Sequence, residues 1–393
     1  MQKHFKRLID ITSTLKRKSV FVLGPRQTGK STWLKEAYPK SLFINLLDIE
    51  VLREINRDSK TLELKILSYL KKSQDKFPLI IIDEIQKMPE LLNLVHKMIE
   101  EHKTIRFILT GSSARKLKRS GINLLGGRAG QFVMRPLTLE EVAESDYGFE
   151  ELMQYGGLPS IVLSESPKED LKDYIQIYLY QEIKEEGLVR NFSNFDRFLS
   201  FAATTNGEQI NYTSLGNDAQ LSPRTVQDYY QILEDTLIGI RLRPYSPKVT
   251  SRKLSALDKF YFFDVGVANY LRDFRMSPLL NEQRGKALEH LVFCELWSFV
   301  SYASAADWKL FYWRTHTKLE VDFILENGAL LYAIEVKYGR KPLKNKIHGL
   351  LSFHDEFNHS KPIVICDTNL AFTENKISYM NIIDFKKFLW SLR

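Results

Sequence analysis

The first third of the chain alternates apolar runs with segments of helical spacing. SVFVLG at residues 19–24 ends in glycine and precedes PRQTGKST, after which WLKEAY has its apolar residues at helical intervals. Three further apolar runs follow, at residues 41–46, 79–82 and 107–109. Continuous apolar runs are typical of parallel strands that are buried on both faces. The pattern therefore predicts an α/β domain with a parallel sheet, whose ligands bind at the carboxyl ends of the strands.

A helix-turn-helix pattern lies in the middle of the chain, at residues 211–235. Asn211 and Ser222 are suited to cap two short helices, and Pro223 takes the first position of the second helix. That helix has an apolar stripe at i, i+3, i+4 and i+7, formed by Val226, Tyr229, Tyr230 and Leu233. Because the following LIGIRLRPYSP resembles a β-wing, we predict a winged helix.

The exposed face of this winged helix leaves two uses open. It would present Arg224, Thr225, Gln227 and Asp228, which in a DNA reader would meet base edges or phosphates. The face is barely basic and Asp228 would repel phosphate, whereas residues 241–253 carry five basic side chains and no acid. Contact with DNA and use as a spacer or protein-contact module both remain open.

A β-hairpin is predicted at residues 320–337, where two largely apolar segments flank Asn327-Gly328. This dipeptide favours a two-residue type I′ turn, which places Glu326 opposite Ala329. One face of the hairpin is then wholly apolar, with Val321, Phe323, Leu325, Leu330, Tyr332, Ile334 and Val336. The other face carries charges at the end away from the turn, namely Glu320, Asp322, Glu335 and Lys337.

Composition narrows the setting of the protein. Its 393 residues, 44% of them hydrophobic, suffice for two or three globular domains. The two cysteines give no disulfide framework. We expect a soluble cytoplasmic protein with no membrane partner, because no apolar leader is recognisable and the run FPLIIID is too short to span a bilayer. The net charge of +8 modestly favours an anionic partner.

The glycine-rich segment after the first apolar run has the spacing G-x-x-x-x-G-K-[ST]. Backbone N–H groups of such a loop enclose phosphates, and the following helix adds its positive N-terminal end. We expect Lys30 to reach the terminal phosphates of a nucleotide and Ser31 to ligate Mg²⁺. The predicted nucleotide-binding residues of this segment are Gly24, Pro25, Arg26, Gln27, Thr28, Gly29, Lys30, Ser31 and Thr32.

Polar residues at three later positions complete this predicted site. Asp83 and Glu84 end an apolar run, and we expect Asp83 to hold Mg²⁺ and Glu84 to polarise the attacking water. Thr110 ends the next apolar run, where its hydroxyl could contact the terminal phosphate or the water. Arg128 follows two glycines in a stretch without acids, residues 104–139, which suits an arginine finger. The alternative for Arg128 is an ordinary arginine of a surface loop.

This order of motifs resembles AAA-type ATPases of the additional-strand class. Later stretches resemble prokaryotic members whose C-terminal half is domain of unknown function 4143: YGGLP, YLYQEI, FYFFDVG, EVDF and EVK. The likeness runs nearly end to end, and it departs at Glu182, where the family pattern suggests aspartate. The resemblance implies ATP and Mg²⁺ as cofactors and ATP hydrolysis as the activity, and it is compatible with a homo-oligomer.

The charged end of the predicted hairpin has the elements of a site that cleaves phosphodiesters. In the predicted register Asp322 and Glu335 are diagonal neighbours, roughly 7–8 Å apart, and their carboxylates can converge on one divalent ion. Lys337 can orient or deprotonate water, or neutralise phosphate charge. The spacing D-x(12)-E-V-K resembles the PD-(D/E)XK nucleases, and more loosely the archaeal Holliday-junction resolvases, although Val321 stands where the motif has proline.

The PD-(D/E)XK fold also uses an acid from a preceding helix. Residues 285–299 offer Glu289 and Glu295 beside an apolar stripe, and we choose Glu289. A basic run suited to a nucleic-acid backbone follows the hairpin, with Lys337, Arg340, Lys341, Lys344 and Lys346. A solvated sheet face is the alternative for the charges of the hairpin, and a nuclease-like fold that has lost cleavage is another.

The sequence thus predicts an α/β protein with a P-loop NTPase parallel sheet, then a winged helix, then an α/β domain like the PD-(D/E)XK nucleases. We place the ATPase core at 1–148, a helical connector at 149–190, the winged helix at 191–258 and the nuclease-like domain at 259–393. The expected function is ATP hydrolysis coupled to a Mg²⁺-dependent, nuclease-like domain that acts on DNA. The alternative is a regulatory ATPase whose C-terminal half is an inactive module that binds protein or DNA.

Overall fold

The chain divides into two compact units. A computed structural model describes residues 5–58, 60–112, 127–180, 183, 189, 191–246, 254–273, 275–303 and 306–393. The first unit holds Arg7–Arg135 with Asp235–Leu237, and the second consists mainly of Pro136–Glu234 and Ile238–Arg393. Within these described residues, no helix is long and apolar enough to cross a membrane. The segments predicted as connector, winged helix and nuclease-like domain all belong mainly to the second unit.

The first unit is built on a parallel sheet that, within the described residues, has five strands in the order β2-β3-β4-β1-β5. The strands are β1 (Ser19–Leu23), β2 (Leu42–Asn45), β3 (Leu79–Asp83), β4 (Arg106–Gly111) and β5 (Ala129–Val133). The helices are α1 (Thr12–Leu15), α2 (Lys30–Ala37), α3 (Ile49–Arg57), α4 (Lys60–Lys72) and α5 (Leu91–Glu101), with a 3₁₀ turn at Ile85–Lys87. Since β4 lies between β1 and β3, the three strand ends that carry the predicted motifs are neighbours.

The second unit opens with helices, and the predicted helix-turn-helix is among them. The helices are α6 (Phe149–Tyr155), α7 (Pro159–Val162), α8 (Pro167–Asp173), a π-helical turn (Tyr174–Leu179), α9 (Phe192–Thr204), α10 (Tyr212–Ala219) and α11 (Pro223–Asp235). The predicted caps are present, because Asn211 accepts the N–H of Ser214 at 3.0 Å and Ser222 accepts that of Thr225 at 3.1 Å. After α11, β6 (Gly239–Leu242) pairs antiparallel with β7 (Lys259–Phe262).

The C-terminal part of the second unit is a mixed sheet flanked by helices. Its strands, within the described residues, lie in the order β12-β13-β11-β10-β9-β8. They are β8 (Lys309–Arg314), β9 (Glu320–Glu326), β10 (Leu331–Arg340), β11 (Lys361–Asp367), β12 (Phe372–Glu374) and β13 (Ile377–Met380). The helices are α12 (Val265–Arg272), α13 (Asn281–Tyr302), α14 (His348–Glu356) and α15 (Ile382–Ser391), with a 3₁₀ turn at Lys344–Lys346.

The β9–β10 hairpin is present, but its register differs from the predicted one by two residues. Leu331, not Ala329, pairs with Glu326, and residues 327–330 form the loop. Asn327 lacks the positive φ that a type I′ turn requires, and its side chain instead accepts the N–H groups of Ala329 and Leu330 at 3.2 and 2.9 Å. Because the shift is even, each side chain of β10 keeps its face. Continued along the strands, the observed register sets Asp322 directly opposite Glu335 instead of diagonally.

The prediction of one wholly apolar hairpin face was wrong for Val321. Phe323, Leu325, Ile334 and Val336 belong to the core that α13 joins, whereas Val321 packs in a second core with Ile324 and Ala333. The pairing of β8 with β9 shifts register between Phe311 and Trp313, close to this change of side. Both faces of the hairpin are therefore buried, and its charged end lies at the rim of a two-sided sheet.

Two of the stretches that resemble family motifs pack against each other. Gly156 of YGGLP has a φ of 81°, and a Cβ atom there would lie 2.0 Å from Oδ1 of Asp264 in FFDVG. Asp264 accepts the N–H of Gly157 at 2.8 Å and caps α12 through the N–H of Val267 at 3.1 Å. Glycine is required at 156 for both backbone conformation and space, so these stretches have a structural task.

The second candidate acid of α13, Glu295, serves the core. It is 1% exposed, and its Oε1 accepts the N–H of Leu139 at 2.5 Å. Burial raises the pKa of Glu295 to about 8, and the charge of Glu141 adds to the effect. This burial favours the protonated carboxyl group at neutral pH.

We predict that Glu295→Gln removes a pH-dependent loss of stability. The folded-state pKa exceeds the unfolded one, so the wild-type contribution is complete below about pH 4.5 and is lost as pH rises through about 8. The variant should match wild type at pH 5 and exceed its unfolding free energy at pH 9 by on the order of a few kcal/mol. Thermal melts from pH 5 to 9 measure this, with exposed Glu144→Gln as control. Parallel pH profiles for wild type and Glu295→Gln would contradict it.

Candidate nucleotide and nuclease-like sites

The glycine-rich segment forms a loop between β1 and α2. Gln27 and Gly29 have φ values of 62° and 88°, so the loop turns back before α2 begins at Lys30. The ammonium group of Lys30 donates to the carbonyl oxygens of Gly24 and Pro25 at 2.8 and 2.9 Å. These contacts hold the lysine across the mouth of its own loop, where backbone N–H groups and the N-terminus of α2 favour phosphate.

Arg7 braces this loop from a distant part of the sequence. Its guanidinium donates to the carbonyl oxygen of Thr28 at 2.8 Å and to that of Arg135 at 2.6 Å. Thr28 is fully buried, and its hydroxyl donates to Pro25 O at 2.9 Å. Sequence analysis missed Arg7, because no motif surrounds it and only the fold brings it to the loop.

A hydrogen-bonded chain joins the loop to the ends of β3 and β4. The Ser31 hydroxyl donates to Oδ2 of Asp83 at 2.6 Å, and the Thr110 hydroxyl donates to Oδ1. Thr110 Oγ1 in turn accepts the backbone N–H of Glu84 at 3.0 Å. The parallel register explains the meeting, since β3 and β4 end side by side. Ser31, Asp83 and Thr110, predicted from separate motifs, therefore lie at one edge of the sheet.

Glu84 is oriented by an unusual backbone and by a neighbour. Its φ is 63°, a left-handed conformation that costs a non-glycine residue roughly 1–3 kcal/mol. The side-chain amide of Gln86 donates to Glu84 Oε2 and lies 3.3 Å from Ser112 Oγ. Glu84 is 8% exposed and Gln86 is 7% exposed. Strain and contact together direct this carboxylate, and Gln86 is a site residue that sequence analysis missed.

Arg128 lies away from the loop of its own chain. It directly precedes β5, and Ala129 pairs with Ser19 at the start of β1, so it sits at the amino edge of the sheet. Since β1 spans five residues at about 3.3 Å each, the carboxyl edge is roughly 15 Å away. Arg128 instead contacts Glu100 at 2.6 Å. The arginine finger stays a prediction, which this placement favours as acting on another protomer, and an ordinary arginine of a surface loop stays the alternative.

The second candidate site lies in the second unit, where two buried carboxylates share the end of the β9–β10 hairpin. Oδ2 of Asp322 accepts the N–H of Val336 at 2.8 Å, and Oε1 of Glu335 accepts from Lys337 Nζ at 2.5 Å. Asp322 and Glu335 are 9% and 5% exposed, so an ordinary solvated sheet face does not describe them. Glu335 Oε2 is buried and has no hydrogen-bond partner among the described residues.

Burial and mutual repulsion make these groups interdependent. Burial raises the pKa of Asp322 and of Glu335, and nearby carboxylate charges, including that of Glu289, raise both further. Burial lowers the pKa of Lys337, but the charges of Asp322 and Glu335 outweigh this and raise it. The two carboxylates thus favour the ammonium form of Lys337, which suits it to neutralise phosphate charge.

Glu289 reaches this cluster from α13, but its contacts are with a lysine and a tyrosine. Its Oε1 accepts the Tyr261 hydroxyl at 2.7 Å and lies 3.4 Å from Lys259 Nζ. Glu320 binds the same lysine at 2.6 Å and Arg314 at 2.5 Å. Sequence analysis missed Lys259, although a lone lysine at the start of the aromatic run KFYFF was a usable signal.

The residues fit one Mg²⁺ ion better than a larger metal centre. In the described part of the chain, no cluster of three or more His, Cys, Asp or Glu side chains is placed to hold a metal ion. Mg²⁺, however, commonly takes one or two carboxylates and completes its shell with water and substrate phosphate. Asp322 and Glu335, with the unpartnered Oε2, supply such a pair. Ser31 and Asp83 offer the hydroxyl and carboxylate oxygens of the corresponding site in the first unit.

Comparison with known families agrees with the geometry of the first unit. The family model described as AAA domain matches residues 16–143. The chain carries an AAA domain. The model for domain of unknown function 4143 matches residues 284–385, and that for domain of unknown function 8612 matches residues 147–277. The suspected family arrangement is therefore confirmed, with the AAA domain first and the 4143 domain last.

Similar proteins come from distant organisms. A Mycobacterium tuberculosis protein is 26% identical over 330 residues, which cover 82% of this chain and 71% of that protein. A Methanocaldococcus jannaschii protein is 24% identical over 400 residues, covering 90% and 81%. A Haemophilus influenzae protein is 22% identical over 302 residues, covering 70% and 73%. All three are described only as uncharacterised, so they add no substrate or partner.

The AAA domain should not tolerate a side chain at Gly24. Its φ is 153°, and a Cβ atom would lie 2.4 Å from the carbonyl oxygen of Met134. We predict that Gly24→Ala lowers the unfolding free energy of this domain by on the order of 2–3 kcal/mol. Gly127→Ala is the matched control, because φ is also positive there, 81°, but nothing lies within 4 Å. Urea unfolding measures both, and equal losses would show that space at Gly24 is not limiting.

Proposed function

We propose that the protein binds ATP with Mg²⁺ and hydrolyses it in the AAA domain, and that its second unit acts on DNA through a Mg²⁺-dependent, nuclease-like site. The observation that carries the ATPase proposal is the unbroken chain of contacts from Ser31 through Asp83 and Thr110 to Glu84. It joins the loop that would hold the phosphates to the acid that would activate water. A shared sheet edge is where α/β folds place their ligands.

Each residue of the AAA domain has a distinct proposed task. The backbone of Gly24 to Gly29 and the N-terminus of α2, with Thr32, hold the phosphates, and Lys30 reaches the terminal ones. Ser31 and Asp83 hold the metal ion, which neutralises charge on the transferred phosphoryl group. Glu84 accepts the proton of the attacking water, and Gln86 keeps its carboxylate in place. Thr110 positions both acids, because its hydroxyl contacts Asp83 and the backbone of Glu84.

Arg128 extends the proposal to a homo-oligomer. Its place at the amino edge of its own sheet lies away from the loop of its own chain, so we propose that it acts at the phosphate site of another copy. The pair with Glu100 involves side chains that are 43% and 45% exposed, and such pairs are worth little. An approaching protomer can therefore take Arg128 from Glu100 at small cost. Its role is then that of an arginine finger acting in trans.

For the second unit, we propose that Asp322 and Glu335 hold one Mg²⁺ ion and that Lys337 stabilises negative charge on the scissile phosphate. Burial of both acids and the unpartnered oxygen of Glu335 support this. The strand continues past Lys337 into an exposed surface with Tyr338, Arg340, Lys341, Leu343, Lys344 and Lys346. Basic and aromatic side chains together favour a nucleic-acid backbone and bases. The winged helix, with Arg224 and Gln227 exposed, offers a second surface for DNA.

A second candidate function is a regulatory ATPase whose second unit binds a partner and cuts nothing. The observation in its favour is that Glu289, the helix acid expected to take part in cleavage, is bound by Lys259 and Tyr261. A nuclease-like domain can also keep its fold after its metal site has lost the ability to cleave DNA. Salt-sensitive binding of DNA without cleavage, or no binding at all, would favour this function.

For the AAA domain we predict that Glu84→Gln binds ATP as wild type does but loses turnover by about 10²-fold or more, because the base is removed and the loop is untouched. Fluorescent-nucleotide binding and phosphate release measure the two quantities, with and without DNA. The control is Glu90→Gln, an exposed acid six residues later. Unchanged turnover in Glu84→Gln would remove Glu84 from the role of base.

For the second unit we predict Mg²⁺-dependent nicking of linear or branched DNA that Asp322→Asn and Lys337→Met both abolish. The first variant removes a metal-binding charge, and the second removes the ammonium that neutralises phosphate. Exposed Lys346→Met is the control and should only weaken DNA binding at high salt. Gel assays with plasmid and branched substrates decide the outcome. Nicking that survives in both variants would assign it to another site or to a contaminant.

A further inference from the structure

A fully buried lysine lies beside the nuclease-like site and has no task in the proposed chemistry. Lys259 begins β7, its side chain is 3% exposed, and aromatic residues follow it along the strand. Moving an ammonium ion out of water costs several kcal/mol, which only close partners can repay. The charge at this position must therefore be held by specific contacts.

Two carboxylates enclose the ammonium group of Lys259. Nζ lies 2.6 Å from Oε1 of Glu320 and 3.4 Å from Oε1 of Glu289, and 5.4 Å from the ring centroid of Tyr312. The same oxygen of Glu289 accepts the Tyr261 hydroxyl, and the other oxygen of Glu320 is bound by Arg314. Cationic side chains of the protein thus neutralise both acids, whereas in other sites a metal ion does so.

The formal charges of the site leave room for one divalent ion. Four carboxylates belong to it, on Glu289, Glu320, Asp322 and Glu335, against the cations Lys259, Arg314 and Lys337, which leaves −1 when all are ionised. One Mg²⁺ changes this to +1, and a phosphodiester then neutralises it. A second Mg²⁺ would leave +2 with the phosphodiester bound, and its place beside Glu289 is taken by Lys259.

We propose that Lys259 is an internal cation in the place of a second metal ion, so that the nuclease-like site takes a single divalent ion, at Asp322 and Glu335. The single-ion part rests on the function proposed for the second unit. Glu289 is then a positioning residue that holds Lys259 and Tyr261, and it is not a metal ligand. Glu320 holds the same lysine from β9, next to Asp322.

The test combines Mn²⁺ binding with thermal unfolding of the full chain without nucleotide. All proteins carry Asp83→Asn, so that the AAA domain contributes no ion. In this background Asp322→Asn should lose the bound Mn²⁺, whereas Glu289→Gln should keep it. Mn²⁺ is counted by electron paramagnetic resonance, which reads binding directly and does not depend on cleavage.

The second readout is rescue of stability by the metal. In EDTA, Lys259→Met should melt on the order of 5–10 °C lower, because two partly buried carboxylates lose the counter-charge that the buried lysine gives them. Mn²⁺ should restore most of this loss by binding between Glu289 and Glu320, and the rescue should vanish when Glu289→Gln is added. Lys259→Arg keeps the charge and should need no rescue.

Two results would overturn the inference. Loss of Mn²⁺ in Glu289→Gln, as in Asp322→Asn, would make Glu289 a metal ligand, and this holds even if Lys259→Met does not fold. If Mn²⁺ raises the melting temperature of Lys259→Met by no more than that of its parent, Lys259 does not stand in for a metal ion. If the parent binds no Mn²⁺ but Lys259→Met is rescued, the internal cation is correct and the metal part of the proposed function fails.

Discussion

Buried carboxylates in this protein depend on donors that distant parts of the chain bring to them. A carboxylate removed from water is costly unless hydrogen bonds or cations repay it. Asp83 is held by two hydroxyl groups, of Ser31 in α2 and of Thr110 in β4, and Asp264 is held by backbone N–H groups. Glu289, which is only partly buried, is held by a lysine and a tyrosine. Where partners are neutral and close, the acid serves structure, as at Glu295. Glu335 differs in its neighbours, since it lies beside Lys337 and opposite a second buried carboxylate, that of Asp322.

Local sequence predicted much of the phosphate site, because the loop, the helix after it and the apolar strands are adjacent in the chain. The meeting of Ser31, Asp83 and Thr110 also followed, since parallel strands end at one edge. The sequence left open whether Arg128 would act in its own chain or in another, because β5 was not foreseen and a residue before a parallel strand lies at the edge opposite the loop. Arg7 could not be inferred, since only folding brings it to the loop, whereas Gln86 lies two residues after Glu84 and its contact depends on the local 3₁₀ turn.

The hairpin shows which kind of error matters in strand prediction. Its register was wrong by two residues, yet the charged side chains stayed on one face because the side-chain repeat of a strand is also two. What the sequence did not reveal was the change of side at Val321 and the lysine from β7. Both depend on elements outside the hairpin: the register shift against β8, and a strand that starts some 60 residues earlier.

The contact of Arg7 with the glycine-rich loop has a consequence for how the protein is prepared. Arg7 lies twelve residues ahead of β1 and joins the carbonyl groups of Thr28 and Arg135, so the segment before β1 takes part in holding the loop. Shortening the segment before β1, or fusing a bulky tag to it, would weaken the hydrogen bonds of Arg7 to the loop. A protein prepared in this way would lose activity in the AAA domain although its reacting groups are intact.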